Sequence, residues 1–176
     1  MLPENARRIN IIGASGTGKS TLARQLAEVY KLPIVYMDYI AHTKRYNPLY
    51  DQPAFLKKIH EECMKNEWIM EGVYASSTLQ NRMEKADVTL YLDYPRRIYL
   101  FRVFKRRIQY RNKSREEMPT DWKERLDFNF IKYVWNFKKV KKPIIDEELA
   151  KNPHSNIIIL KQPKDTKKLL KSTKRM

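Results

Sequence analysis

Cysteine is almost missing from this chain of 176 residues, since Cys63 is its single occurrence. One cysteine cannot form an intramolecular disulfide, which excludes the small disulfide-stapled scaffolds of secreted proteins. Long apolar runs are also missing: a run such as Ile157–Leu160 is far too short to cross a bilayer. Residues 1–8 lack the apolar stretch of a signal peptide. We therefore expect a soluble, cytoplasmic protein with no membrane partner.

Acidic residues are scarce relative to basic ones. The 36 lysines and arginines face 20 aspartates and glutamates, which gives a formal net charge of +16. Such a charge attracts polyanions, including nucleotides, nucleic acid and anionic membrane surfaces. A basic surface whose one specific partner is a triphosphate accounts for the same charge. The scattered histidines and the lone cysteine form no metal-binding pattern.

Glycine is scarce too, yet three of the four glycines stand together at Gly13, Gly16 and Gly18. They belong to the motif G-x-x-x-x-G-K-[ST], which the chain matches at every fixed position between an apolar strand and a helix. In such a P-loop, backbone N–H groups and the helix N-terminus bind phosphates. The predicted nucleotide-binding residues are Gly13, Ala14, Ser15, Gly16, Thr17, Gly18, Lys19, Ser20 and Thr21.

The side chains that follow Gly18 predict distinct roles. We expect Lys19 to reach the β- and γ-phosphates of a nucleoside triphosphate, and Ser20 to ligate Mg²⁺. Thr21 is expected to contact the α-phosphate. The alternative for the whole motif is a glycine-rich turn that binds nothing, although the strand–loop–helix context favours the P-loop.

Strands alternate with helices along the chain, which predicts an α/β fold with a parallel sheet covered on both faces. One domain over residues 1–176 fits this length. A basic, aromatic, helical insertion at 99–142 separates the fourth and fifth strands, and a lysine-rich tail at 161–176 is expected to be helical or frayed. Helices are predicted at 18–30, 53–64, from Pro95, at about 121–140 and at 143–149, and strands at 8–12, 32–37, 68–70, 87–92 and 156–160.

Two carboxylates end predicted strands, where parallel sheets place their ligand sites. Asp38 follows the second strand and is expected to accept the proton of an acceptor hydroxyl or to hydrogen-bond the acceptor. Glu71, before Gly72, is expected to hold Mg²⁺ through a water or to position the acceptor. The alternatives are an Asx-turn for Asp38 and a cap for Glu71. Asp93 ends the fourth strand, and we interpret it as a helix cap.

The helix after Pro95 carries many basic residues and no acidic one. Phosphoryl transfer requires cations around the transferring group, and the planar guanidinium binds phosphate with two parallel hydrogen bonds. We expect Arg102, Arg107 and Arg111 to serve the reaction, while the alternative is a solvated basic face. An aromatic stripe along the next helix, from Trp122 to Phe137, is expected to pack in the core rather than stack on a base.

These motifs, together with Trp68-Ile69-Met70-Glu71-Gly72-Val73-Tyr74 and Leu92-Asp93-Tyr94-Pro95-Arg96-Arg97, resemble a known family. It is the FlaR-related DNA topology modulation family of adenylate-kinase-like P-loop NTPases, within the nucleoside and nucleotide kinase superfamily. The resemblance covers roughly residues 8–160. It implies a three-layer P-loop NTPase fold, with a five-stranded parallel sheet in the order 2-3-1-4-5 and a helical LID at about 102–125.

The resemblance also implies places for individual residues. Arg102 and either Arg106 or Arg107 open the LID, and Arg111 and Arg115 lie within it. Residues 161–163 fall where adenylate kinases cradle adenine. After the pair that matches Glu71-Gly72, adenylate kinases carry Pro-Arg, whereas this chain carries Val73-Tyr74 and has its next arginine at position 82.

We therefore predict a kinase that uses Mg²⁺ and ATP to phosphorylate a nucleoside, nucleotide or related metabolite. The alternative is a nucleotide-dependent DNA- or RNA-binding regulator, or a kinase of polynucleotide ends, that uses the basic surface and the tail. The motifs leave open the identity of the acceptor, the choice between ATP and GTP, and the choice between a monomer and a homodimer.

Overall fold

A computed structural model describes residues 2–43, 52–110, 128–153 and 156–173. The elements in these ranges alternate between strand and helix for most of the chain. In order they are β1 (Arg8–Gly13), α1 (Lys19–Tyr30), β2 (Ile34–Tyr36), α2 (Met37–His42), α3 (Gln52–Cys63), β3 (Trp68–Glu71), α4 (Ala75–Lys85), β4 (Val88–Leu92), α5 (Arg96–Gln109), α6 (Phe128–Lys151), β5 (Ile157–Leu160) and α7 (Pro163–Thr173).

The five strands form one parallel sheet in the order β2-β3-β1-β4-β5. This order confirms the predicted 2-3-1-4-5 sheet and places β1 at the centre. Glu71, the last residue of β3, pairs with Ile11 of β1 and with Tyr36 of β2. Because the strands are parallel, the segments that follow β1, β2 and β3 all leave from the same edge of the sheet.

Helices cover both faces of the sheet, and β3 shows why. Successive side chains on a strand point to opposite faces. Ile69 lies in a core cluster with Leu22 and Leu26 of α1, whereas Trp68 and Met70 pack in a second cluster with residues of α2 and α3. The near-continuous apolar sequence of the strands fits this burial on both faces.

The structure differs from the sequence prediction at the second strand and at the helix after the third strand. The strand predicted at 32–37 is β2, which ends at Tyr36, and Met37 begins α2. Helix α4 was not predicted, because its sequence contains several polar residues. It nevertheless buries Leu79 and Met83 beside the side chain of Arg82.

The helical insertion also differs from its prediction. From Phe128 on, the helices expected at about 121–140 and 143–149 belong to one helix, α6, that continues through Pro143. Proline removes a helical hydrogen bond at a cost of about 3 kcal/mol, and burial of Val134, Phe137 and Ile145 on either side offsets it. Helix α5 covers the start of the LID predicted at about 102–125. Residues 111–127, which include Asp121 and Trp122, lie outside the described residues.

The tail predicted to be helical or frayed contains α7, which buries Leu169 and Thr173. Among the described residues, we find no helix that combines the length and the apolarity needed to span a membrane.

Candidate active site

The P-loop connects the end of β1 to the start of α1 and packs closely against α5. Gly16 adopts a φ of +84°, and a Cβ built there would lie 2.8 Å from Cγ2 of Val103. Only glycine tolerates both the backbone conformation and this approach. No side chain in the described ranges caps the N-terminus of α1, so its first N–H groups are placed to bind an anion.

Lys19 lies against the loop from which it emerges. Its Nζ donates a hydrogen bond of 3.2 Å to the carbonyl oxygen of Ala14. The same carbonyl accepts hydrogen bonds from the backbone N–H of Thr17 at 3.2 Å and from its Oγ1 at 2.8 Å. Lys19 is 8% exposed, so its ammonium group is held within the loop where a bound phosphate would need it.

Ser20 and Glu71 bring oxygen atoms together beside the loop. The Oγ of Ser20 donates a hydrogen bond of 3.0 Å to Oε1 of Glu71, and Glu71 is 2% exposed. The contact forms because Glu71 ends the strand that pairs with β1. A hydroxyl and a carboxylate are the hard oxygen donors that Mg²⁺ prefers, so this pair fits the predicted metal ligands in chemistry and position.

Two arginines of α5 contact the P-loop from the other side. Arg102 donates a hydrogen bond of 2.9 Å to the carbonyl oxygen of Thr17. One turn later, Arg106 donates one of 3.5 Å to Oγ of Ser15. The resemblance predicts Arg106 only as an alternative to Arg107. Arg107, the next residue of the helix, is half-buried.

Arg102 also lies over an aromatic ring, with its guanidinium carbon 5.7 Å from the ring centroid of Tyr94. Of the other predicted residues, Arg111 and Arg115 lie outside the described residues.

Asp38 lies in the first turn of α2, rather than at the end of a strand. The pKa of Tyr74 is raised by burial first and then by the charge of Asp38. The charge of Asp38 also acts on Tyr133 of α6: burial of the unexposed part of this side chain, followed by the Asp38 charge, raises its pKa. Because the charge of Asp38 acts on both Tyr74 and Tyr133, we call these three residues the acceptor cluster.

Neither tyrosine was predicted to be functional. Tyr133 had been assigned to the aromatic core stripe, although it is 40% exposed. In the sequence, Tyr74 is noted only because Val73-Tyr74 replaces the Pro-Arg of adenylate kinases. That replacement, directly after Glu71-Gly72, is the one sequence feature that could have indicated a role for Tyr74.

Gly72 and Arg82 fix the turn between β3 and Tyr74. Gly72 has a φ of +146°, and a Cβ there would lie 2.8 Å from Cβ of Met37. The Arg82 guanidinium donates hydrogen bonds to Oδ1 of Asn10 at 3.1 Å and to the carbonyl oxygens of Gly72 at 2.9 Å and Val73 at 2.6 Å. Arg82 is fully buried, and this burial lowers its pKa to about 10.

Asp93 does not cap α5 as predicted. The N-cap position of that helix is Pro95, and no side-chain capping bond is found there within the described ranges. Asp93 instead forms ion pairs with Lys138 at 3.2 Å and Lys142 at 3.4 Å, both on α6. These contacts attach α6 to the end of β4, which gives Asp93 a packing role.

A parallel sheet in the order 2-3-1-4-5, with a P-loop after its central strand, defines the P-loop kinase fold. Among solved structures, the chain is similar to shikimate kinase from Acinetobacter baumannii in complex with shikimate, with a TM-score of 0.60, 15% identity and coverage of 98% of this chain and 93% of that one. It is also similar to deoxyadenosine kinase from M. mycoides with bound dCTP, with a TM-score of 0.54, 13% identity and coverage of 95% and 98%.

Shikimate kinase from Bacteroides thetaiotaomicron gives a TM-score of 0.55 at 14% identity, with 97% of each chain covered. At such low identity these similarities establish the fold alone. No protein-family model matches the chain, and no curated protein matches its sequence. Membership of the FlaR-related family therefore stays a prediction.

Proposed function

We propose that this chain is an ATP-dependent phosphotransferase that uses Mg²⁺ and transfers the γ-phosphoryl group to a hydroxyl of a small acceptor. The acceptor class is a nucleoside, a nucleotide or a related metabolite. The observation that carries the proposal is a convergence at one edge of the sheet. Lys19, Ser20 and Arg102 contact the P-loop or the carboxylate beside it. Asp38 begins α2 directly after β2, the strand that pairs with the strand of Glu71.

The P-loop residues 13–21 would bind the triphosphate. Backbone N–H groups and Lys19 neutralise the phosphates, and Thr21, which is exposed, contacts the α-phosphate. Ser20 would hold Mg²⁺ directly and Glu71 would hold it directly or through a water; the bound ion supplies positive charge to the β- and γ-phosphate oxygens.

In the transfer step, the acceptor hydroxyl oxygen forms a bond to the γ-phosphorus while the bond to the β–γ bridging oxygen breaks and ADP leaves. Asp38 accepts the hydroxyl proton. Arg102 and Arg106, which lie against the loop, and the predicted Arg107 and Arg111 spread the charge that develops on the phosphoryl oxygens. The nucleic-acid-binding alternative is supported by net charge alone, and no contact among the described residues favours it.

A lysine variant tests this proposal. Lys19→Ala is expected to lower phosphoryl transfer from labelled ATP by about 10²–10³-fold, the usual loss when one transition-state donor is removed. Its unfolding midpoint should stay close to that of the wild type. Lys168→Ala, which removes an exposed lysine of α7, is the matched control and should retain full activity. A fully active Lys19→Ala variant, or one that does not fold, contradicts the assignment.

A further inference from the structure

We propose that Tyr94 is a positioning residue for Arg102, and that Thr166 of α7 fixes Tyr94 in this role. The inference rests on the proposed function, since it concerns how that arginine is held at the triphosphate site. It also gives a role to α7, which lies in the lysine-rich segment that the sequence predicts to be helical or frayed.

The register of the sheet brings the P-loop, the start of α5 and the start of α7 to one place. Leu92, the last residue of β4, pairs with Gly13 on one side and with Leu160 on the other. Gly13 begins the P-loop, and Leu160 is the last residue of β5. Tyr94 follows Leu92 by two residues, so it stands between the P-loop and the connection from β5 to α7.

Arg102 is held at two points beside the backbone of the P-loop. Its Nη1 donates a hydrogen bond of 2.9 Å to the carbonyl oxygen of Thr17, and a Cβ built at Gly18 would lie 3.5 Å from the same nitrogen. On the other side, its guanidinium carbon lies over the ring of Tyr94, 5.7 Å from the centroid. Within about 6 Å, the face of an aromatic ring attracts a guanidinium. The ring and the carbonyl together therefore orient this cation.

Tyr94 is in turn fixed through its hydroxyl group. The residue is 2% exposed, and its hydroxyl is hydrogen-bonded to Oγ1 of Thr166, 72 positions away in the sequence. Packing of the ring in the core requires no hydroxyl, whereas a buried hydroxyl requires a partner. This hydrogen bond sets where the ring lies, and thus where it can meet Arg102.

The start of α7 is a well-anchored place for that partner. Oδ2 of Asp165 accepts hydrogen bonds from the backbone N–H groups of Lys161 at 2.9 Å and Gln162 at 3.0 Å. The N–H of Asp165 donates one of 3.0 Å to the carbonyl oxygen of Gln162. These bonds fix the turn from β5 into α7, and Thr166 is the next residue.

A held arginine binds a phosphate better than a free one. A free arginine side chain samples many rotamers, and ordering it on a ligand costs conformational entropy. Contacts that order it beforehand remove part of that cost. The alternative is that Tyr94 is a core residue with a satisfied hydroxyl, which predicts an effect on stability but none that passes through Arg102.

A double-mutant cycle on the binding of Mg²⁺-ATP separates these two roles. Titration calorimetry gives the dissociation constants of the wild type, Tyr94→Leu, Arg102→Ala and the double variant. We expect Tyr94→Leu to weaken binding about fivefold in the wild-type background, the equivalent of about 1 kcal/mol, and less than about twofold in the Arg102→Ala background. A packing defect alone would act by the same factor in both backgrounds.

Two milder variants decide the question if Tyr94→Leu does not fold. Tyr94→Phe and Thr166→Val remove the two ends of one hydrogen bond and keep the packing. Each should weaken Mg²⁺-ATP binding about threefold, and the double variant should lose no more than either alone. Tyr30→Phe is the matched control. It removes a hydroxyl that donates a hydrogen bond of 3.0 Å to the carbonyl oxygen of Pro3, at the end of α1 opposite the P-loop, and should leave the affinity unchanged.

The inference is overturned if Tyr94→Leu weakens binding equally in both backgrounds, or if Tyr94→Phe and Thr166→Val bind Mg²⁺-ATP like Tyr30→Phe. It is also overturned if Arg102→Ala binds as tightly as the wild type, because no positioning effect on the triphosphate would then exist. In these cases the proposed function stands if Lys19→Ala binds more weakly than the wild type. A wild-type protein that does not bind Mg²⁺-ATP would overturn both.

Discussion

Replacing Arg82 with methionine tests whether this arginine supports the fold or binds a ligand. Three buried oxygen atoms, Oδ1 of Asn10 and the carbonyls of Gly72 and Val73, would lose their guanidinium donor. Each unsatisfied acceptor costs about 1–3 kcal/mol, so the three together cost roughly 3–9 kcal/mol. Methionine is unbranched and fills much of the space of the arginine stem, which keeps the cavity cost small.

Part of this cost is offset, because the variant no longer buries a charge. Burial lowers the pKa of Arg82 from 12.5 to about 10. At about 1.4 kcal/mol per pKa unit, the folded protein holds the charged form at a cost of about 3 kcal/mol. The balance is a destabilisation of about 3 kcal/mol at the middle of the range. For a domain of this size, that lowers the unfolding midpoint by roughly 6–12 °C.

Equilibrium urea unfolding followed by far-UV circular dichroism measures this change. Arg97→Met, at an exposed position in the first turn of α5, is the matched control and should change the free energy of unfolding by no more than about 0.5 kcal/mol. Arg82→Lys retains the charge but has a single nitrogen, so it should fall between the wild type and Arg82→Met. A destabilisation of Arg82→Met no larger than that of Arg97→Met would refute the support role.

Two further predictions concern the loop and the lone thiol. Gly16→Ala places a methyl group 2.8 Å from Cγ2 of Val103 at a φ of +84°. We therefore expect titration calorimetry to show ADP affinity reduced at least about tenfold. An ADP affinity equal to that of the wild type would contradict this expectation and show that the loop adapts to the methyl group. Cys63 is fully buried, and burial raises its pKa to about 11, so a disulfide reagent at pH 8 should label it only after unfolding. Rapid labelling of the native protein would contradict that burial.

Local sequence patterns were sufficient to predict the P-loop and a parallel sheet, whereas the order of the strands was implied by the family resemblance. The loop is encoded in eight consecutive residues, and the apolar strands are continuous because both faces of the sheet are covered. Even the contact of Arg106 with the loop had a signal in the sequence, since residues four apart on a helix share a face and Arg102 lies four residues before it. By the same rule Arg107 shares a face with Arg111, and its role stays a prediction.

The contacts that build the rest of the site depend on register, which no local pattern specifies. Ser20 meets Glu71 across 51 positions of sequence because β3 pairs with β1 with Glu71 opposite Ile11. The position of Asp38 depends on an early end of β2 and the start of α2, where Gly72 leaves space for Met37. The polar sequence of α4 concealed both a helix and its buried arginine.

Arg82 links the two halves of the proposed reaction. Its guanidinium binds Asn10, on the strand that leads into the P-loop, and also the two carbonyls that precede Tyr74. The positions of the triphosphate loop and the acceptor cluster therefore share one buried support. Positioning reacting groups is a major part of phosphoryl-transfer catalysis. Arg82 of α4 is therefore a structural residue that holds the turn after β3, next to the proposed acceptor site.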